Sequence, residues 1–184
     1  GHCASSRFVL YWHCPLSTKR PDVQAQRSPM EKHFTATGIV LNDAHKVLMI
    51  RHKKLGVWLP PGGHVEENEL PDEAVLREVL EETGIQARIL PNAEEPALSD
   101  AAATPLHNPR YVLLEDIGQT GTHFHIDLVY FCRAVSGHEH LNARETEGLC
   151  WMDEAALAAC ETYHNCRHII LKAIALSRAG ALEG

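Results

Sequence analysis

The stretch "GGHVEENELPDEAVLREVLEETGI", residues 62–85, decides how the chain is read. Pro71 suits a first helical position and Gly84 is the usual left-handed terminator, so the spacing predicts one helix between them. At about 100° per residue, Val75, Leu76, Val79 and Leu80 share an arc of roughly 140° that packs on a sheet. Glu78, Glu81 and Glu82 occupy a neighbouring arc of about 100°, with Arg77 at the edge near Glu81. Like charges at this spacing repel by a few tenths of a kcal/mol, and each glutamate in a last turn opposes the helix dipole by about 0.3–1 kcal/mol. A helix built for stability alone carries Lys or Arg there. Three clustered oxygen donors suit a hard divalent cation, Mg²⁺ or Mn²⁺, which turns repulsion into coordination. The plainer reading is a solvated charged face, and these energies weigh against it.

Outward from that helix, "FTATGIVLN" (34–42) and "KVLMIRH" (46–52) are apolar, β-branched runs around "DAH", the pattern of a hairpin. "KKLGVWLPPGG" (53–63) is expected to be a loop, because Pro60-Pro61 bar a helix. "IQARIL" (85–90) is a short strand, and the proline-rich residues 91–108 form a surface loop. "RYVLLED" (110–116) and "HFHIDLVYFCRA" (123–134) predict a second strand pair, and "GLCWM" (148–152) a further strand. Asp153 is a fair N-cap for "EAALAA", and residues 163–179 close the chain with a helix whose stripe is Ile169, Ile170, Ala173, Ile174 and Leu176. Strands interleaved with a few helices indicate a mixed α/β (α+β) layered domain.

Alternation in "HFHIDLVYF" puts Phe124, Ile126, Leu128 and Tyr130 on one face, the expected core. His123, His125, Asp127 and Val129 share the other, which makes His125 and Asp127 candidate cleft residues beside surface or structural roles. Trp58, just before the glycines, either packs beneath the loop or stacks on a base.

A chain of 184 residues suits one domain with a real core. Its net charge of −7 argues against a general nucleic-acid binder, and no apolar run reaches the length of a membrane span. Six cysteines without a Cys-x-x-Cys pair, and no secretory signal, point to reduced thiols in a cytoplasm. "CETYHNCRH" (160–168) brings two cysteines and two histidines together but fits no common zinc pattern. Residues 1–30 read as an extension to a domain at 31–184. Gly1-His2 looks like a remnant of tag cleavage and Met30 like a native start. Alternatively, the apolar Phe8–Trp12 patch is a strand that docks on the domain or on a second subunit.

The spacing Gly63, five residues, Glu69, seven residues, then Arg77-Glu78-Val79-Leu80-Glu81-Glu82-Thr83-Gly84-Ile85 resembles the Nudix box without a mismatch. The resemblance implies a mixed β-sheet sandwiched between α-helices, with the box as loop–helix–loop. It implies hydrolysis of a nucleoside diphosphate linked to another moiety, by a metal-activated water. A nucleoside triphosphate, ADP-ribose, a dinucleotide and a sugar nucleotide all fit that description, so the partner is a small nucleotide. Glu78 and Glu82 then become the main Mg²⁺ or Mn²⁺ ligands, Glu81 serves a second ion, and Gly63 adds its carbonyl. Arg77 and Glu69 match a supporting ion pair that orients the glutamates. The general base is a box glutamate or a loop acid, for which Glu145 and Glu147 are the candidates. The resemblance also makes a homodimer reasonable.

Two features depart from many relatives: Leu70 replaces a capping Ser or Thr, weakening the helix start by about 1 kcal/mol, and Pro60-Pro61 precedes the glycines. The alternative function is a Nudix-fold module that binds a nucleotide without cleaving it, which an intact glutamate set disfavours. Isomerase chemistry on a diphosphate ester belongs to relatives with an altered box.

Overall fold

The computed structural model describes residues 30–91, 103–144 and 146–182. The expectations for the N-terminal extension, and for much of the loop at 91–108, therefore fall outside the described residues.

The β-branched runs at either end of the domain become its spine. Strands β1 (Glu31–Leu41) and β7 (His123–Gly137) lie parallel, in unbroken register from Glu31 opposite His123 to Leu41 opposite Arg133. Shorter strands pair antiparallel along their outer edges. The hairpin expected around residues 43–45 forms, with β2 (Val47–His52) beginning opposite Leu41. The middle of β1 pairs with β4 (Gly62–His64), Thr35 opposite His64 and Thr37 opposite Gly62. Two strands share the far edge of β7: β6 (Tyr111–Asp116) takes its first half and β5 (Ile85–Ile89) its second. The strand β3 (Trp58–Leu59) and the strand β8 (Thr146–Met152) flank β2, completing a mixed sheet of eight strands.

Helices cover both faces, as the sequence leads one to expect. Ala74, Val75 and Val79 of α1 (Pro71–Thr83) pack on Ala36, Val40, Leu48, Tyr130 and Cys132. On the other face Leu157 of α2 (Glu154–Ala159) and Ile169, Ile170, Ala173 and Ile174 of α3 (His164–Arg178) meet Ile39, Leu41, Met49, Val129 and Phe131. Both layers bury β7, so its two parities are both partly core. Phe124 and Tyr130 are buried as expected, Ile126 and Leu128 only half, and Asp127 and Val129 on the opposite side are buried too.

Three local expectations change. "GVWLPPGG" is not one loop: β3 and β4 lie either side of Pro60-Pro61. Proline lacks an N–H but keeps its carbonyl, and Pro61 O accepts from Gly38 N at 2.9 Å to start the β1–β4 ladder. The missing cap at Leu70 is partly offset, because the Glu73 carboxylate accepts from Leu70 N at 3.0 Å and Asp72 and Glu73 complement the dipole. The buried stripe of α1 is also rotated from the expected arc. Leu80 is 44 % exposed, whereas Glu82 is 4 % exposed and Thr83 is fully buried. A helix that exposes a leucine and buries a glutamate is shaped by something other than core packing.

Gly84 ends α1 with φ at 72°, its N–H donating to Leu80 O at 2.8 Å. A Cβ there would run into the backbone carbonyl of His138 and stand 2.9 Å from the Cβ of His140. Because the obstruction is backbone, Gly84→Ala is expected to cost about 1–3 kcal/mol, read as a lower midpoint in urea with an unchanged slope.

Candidate active site

The box loop, α1 and the segment after β7 meet at one place. Arg77 organises it from the middle of the helix. Its Nε and Nη2 donate to the two oxygens of Glu69 at 2.7 and 2.9 Å, a bidentate pair. Nη1 reaches Glu78 Oε1 at 2.9 Å and Glu81 Oε2 at 3.3 Å, and Nη2 also donates to the carbonyl of His64 at 3.0 Å. One guanidinium thus ties the loop to three glutamates of the box. Glu82 turns inward instead and accepts from Gly62 N–H at 3.0 Å. Backbone hydrogen bonds from Asn142 N to Glu82 O and His140 N to Thr83 O lay the segment after β7 across the end of α1.

Gly63 closes the arrangement. A Cβ built on it would lie 2.5 Å from Cδ of Glu78, so the loop backbone is pressed against that carboxylate. The donors Glu78 and Glu82 converge on Gly62-Gly63, while Glu81 is 56 % exposed at the rim. Carboxylate oxygens pressed against a backbone segment too closely for a side chain to intervene fit a hard divalent ion such as Mg²⁺ or Mn²⁺.

The Glu69–Arg77 pair has its own pH signature. Hydrogen bonds from Arg77 hold the Glu69 carboxyl below the usual carboxylate range, and its negative partners raise Arg77 in turn. A carboxyl depressed in the folded state leaves the unfolded chain binding more protons, so its contribution is present above the ordinary range and lost as pH falls through the lowered value. The expected outcome is a lower Tm for Glu69→Gln than for the wild type at pH 7, with the gap closing in acid.

The remaining candidates lie elsewhere on the sheet. Asp127 is buried and accepts from the hydroxyls of Thr35 at 3.0 Å and Thr37 at 2.9 Å. Burial raises its carboxyl despite those bonds, and burial together with the Asp127 charge raises Glu115 on the neighbouring strand. His125 sits among His33, His64 and His123, and burial followed by these neighbours pushes it down to about 4. Trp58 packs half-buried against the α3-side core, its backbone N–H donating to Glu161 O at 2.8 Å. Glu147 is held by Arg51 at 3.1 Å; Glu145 lies outside the described residues. Cys160 donates its thiol to Leu157 O at 3.3 Å, a packing contact at the end of α2.

Thr35, Thr37 and Glu115 beside Asp127, and His33 and His64 beside His125, had no place in the sequence reading. Alternation along β1 could have grouped the threonines; only its parallel pairing with β7 sets them on Asp127.

Known proteins resemble the chain over much of its length. A family model, the NUDIX domain, matches residues 31–172. The m7GpppN-mRNA hydrolase NUDT17 of Xenopus laevis is 37 % identical over 122 residues, covering 55 % of this chain and 40 % of that protein. The 8-oxo-dGTP diphosphatase of Proteus vulgaris is 40 % identical over 60 residues, covering 30 % of this chain and 53 % of that one. The chain therefore spans about half the length of these relatives or less. Among solved structures, a hydrolase of the NUDIX family from Clostridium perfringens superposes with a TM-score of 0.68 at 30 % identity, covering 80 % of this chain and 99 % of that one.

Proposed function

From the premise that the chain belongs to the Nudix hydrolase family, we propose that it hydrolyses the pyrophosphate bond of a nucleoside diphosphate derivative with the help of Mg²⁺ or Mn²⁺. The observation that carries this reading is the convergence of Glu78 and Glu82 on the Gly62-Gly63 backbone, with Arg77 bracing Glu69, Glu78 and Glu81. Glu78, Glu82 and the carbonyl of Gly63 would hold the ion, and Glu81 a second one. Bound there, a divalent ion neutralises a polyphosphate, lowers the pKa of a coordinated water and stabilises charge on the leaving phosphate.

The protein's own groups supply the rest. Arg77 keeps the carboxylates oriented, with its donors taken up by Glu69, Glu78, Glu81 and the His64 carbonyl. A carboxylate takes the proton of the attacking water: Glu81, at the exposed rim, or Glu145, or Glu147 near the start of β8. Asp127 is assigned to the nucleoside side, where it offers a buried acceptor held by two hydroxyls. An acidic chain suits a small nucleotide better than a nucleic acid, reduced thiols suit a cytoplasm, and a homodimer is the expected assembly. Among the described residues no helix is long and apolar enough to cross a membrane.

The test is a panel of pyrophosphates with Mg²⁺ or Mn²⁺, containing an oxidised nucleoside triphosphate, ADP-ribose, a dinucleotide polyphosphate, a sugar nucleotide and a capped dinucleotide. Products are identified by mass, in ¹⁸O-labelled water. Metal-dependent cleavage with one ¹⁸O in a phosphate product is the expected result. Tight binding of a panel member with no cleavage of any would turn the reading toward a nucleotide-sensing module.

A further inference from the structure

We propose that His33, His123 and His125, with His64 beside them, form a binding site for a transition-metal ion of the Zn²⁺ type, separate from the glutamates of α1. The site is a product of strand register. Parallel pairing sets Glu31 opposite His123 and His33 opposite His125, and β4 brings in His64 opposite Thr35. Four imidazoles from three strands thereby meet at the start of β1 and β7. Ring centroids lie 5.0 Å apart for His33–His123, 5.2 Å for His123–His125, 4.8 Å for His64–His125 and 5.3 Å for His33–His64.

Two independent observations point to an ion. One ligand atom from each of His33, His123 and His125 lies within 4.8 Å of the others. Zinc–nitrogen bonds of about 2.0–2.1 Å in a tetrahedron set ligand nitrogens roughly 3.3–3.4 Å apart, a distance that small side-chain rotations reach. Moreover, Nε2 of His123 and Nε2 of His125 are both buried without a hydrogen-bond partner. Rings that merely packed together would leave those two nitrogens unmatched at a cost, whereas an ion between them supplies what they lack. The Oε1 of Glu31 stands 3.1 Å from Nε2 of His33, a carboxylate placed to orient a ligating ring.

The donor chemistry separates this site from the one on α1. Imidazoles select Zn²⁺ and its borderline neighbours, whereas clustered carboxylates select Mg²⁺ and Mn²⁺. The two sites nevertheless share a strand: His64 follows Gly63, whose backbone abuts Glu78. An ion on the histidines would tie the start of β1 to the strand that carries the box glycine.

The test uses the full chain, stripped of metal, with zinc alone and neither nucleotide nor magnesium, so it stands apart from any hydrolysis assay. Zinc is titrated in competition with a chromophoric chelator for the wild type, His33→Asn, His123→Asn and Glu78→Gln. Cobalt absorption provides a second readout and circular dichroism checks the fold. The expected result is that both histidine variants lose about one equivalent of tightly held zinc, and the tetrahedral cobalt bands with it, whereas Glu78→Gln keeps both. His33 is partly exposed, so its variant reports on the site even if His123→Asn does not fold. Zinc held by folded His33→Asn with the wild-type stoichiometry and affinity, or a wild type that takes up none at micromolar zinc, would overturn the proposal.

Discussion

Glu78→Gln is expected to lower kcat on the order of 10³-fold at saturating Mg²⁺, with far-UV circular dichroism unchanged. Glutamine keeps the shape of the side chain, and its amide oxygen can still accept from Nη1 of Arg77, which lies 2.9 Å from Glu78 Oε1. What disappears is one negative charge pressed against Gly63. Removing it relieves repulsion with Glu81 and Glu82 but also weakens the ion pair with Arg77, so the Tm should change little. Glu78 is the cleaner site for this experiment than Glu82. The latter is buried and accepts a backbone N–H, so its replacement mixes a folding defect with a chemical one. A Glu78→Gln enzyme that keeps most of its turnover would remove this side chain from the ion's ligands.

The second large effect is expected at Gly63. Its φ is not in the left-handed region, so alanine meets no backbone penalty. The added methyl group instead falls on the carboxylate of Glu78, 2.5 Å from its Cδ. The end of a glutamate side chain moves easily, so the fold should survive with a stability change below about 1 kcal/mol. The displaced carboxylate is no longer where the ion needs it, and a misplacement of about 1 Å is enough for a loss of roughly 10²-fold in kcat. Measured together, kcat and Tm distinguish this from Gly84→Ala, where the obstruction is backbone and the cost falls on stability.

The helix that carries the box glutamates was legible because its signals are local. Pro71 and Gly84 bracket it as expected, and the glutamate spacing by itself singles out Glu78, Glu81 and Glu82. Its rotation was less legible: hydrophobicity favoured burying Leu76 and Leu80, whereas contact with the β4 strand and residues 138–142 draws Glu82 and Thr83 inward. The strands were recognisable one by one from apolar runs and turn residues. Their partners were not, because β1 and β7 pair across about ninety residues and nothing local encodes a parallel register. Everything that depends on that register was therefore hidden: the two threonine hydroxyls on Asp127 and the gathering of four histidines. The short β3 and β4 strands were masked by the prolines between them, although the carbonyl of Pro61 still pairs where its nitrogen cannot.

In the function proposed above, Glu78 and Glu82 are kept together in order to hold a divalent ion. The most direct measurement of that role is manganese binding followed by electron paramagnetic resonance, in the presence of a non-hydrolysable nucleotide analogue, for the wild type and the Glu78→Gln/Glu82→Gln double variant. The wild type is expected to take up Mn²⁺, and the folded double variant to leave it free in solution. Equal uptake by both proteins would contradict that role.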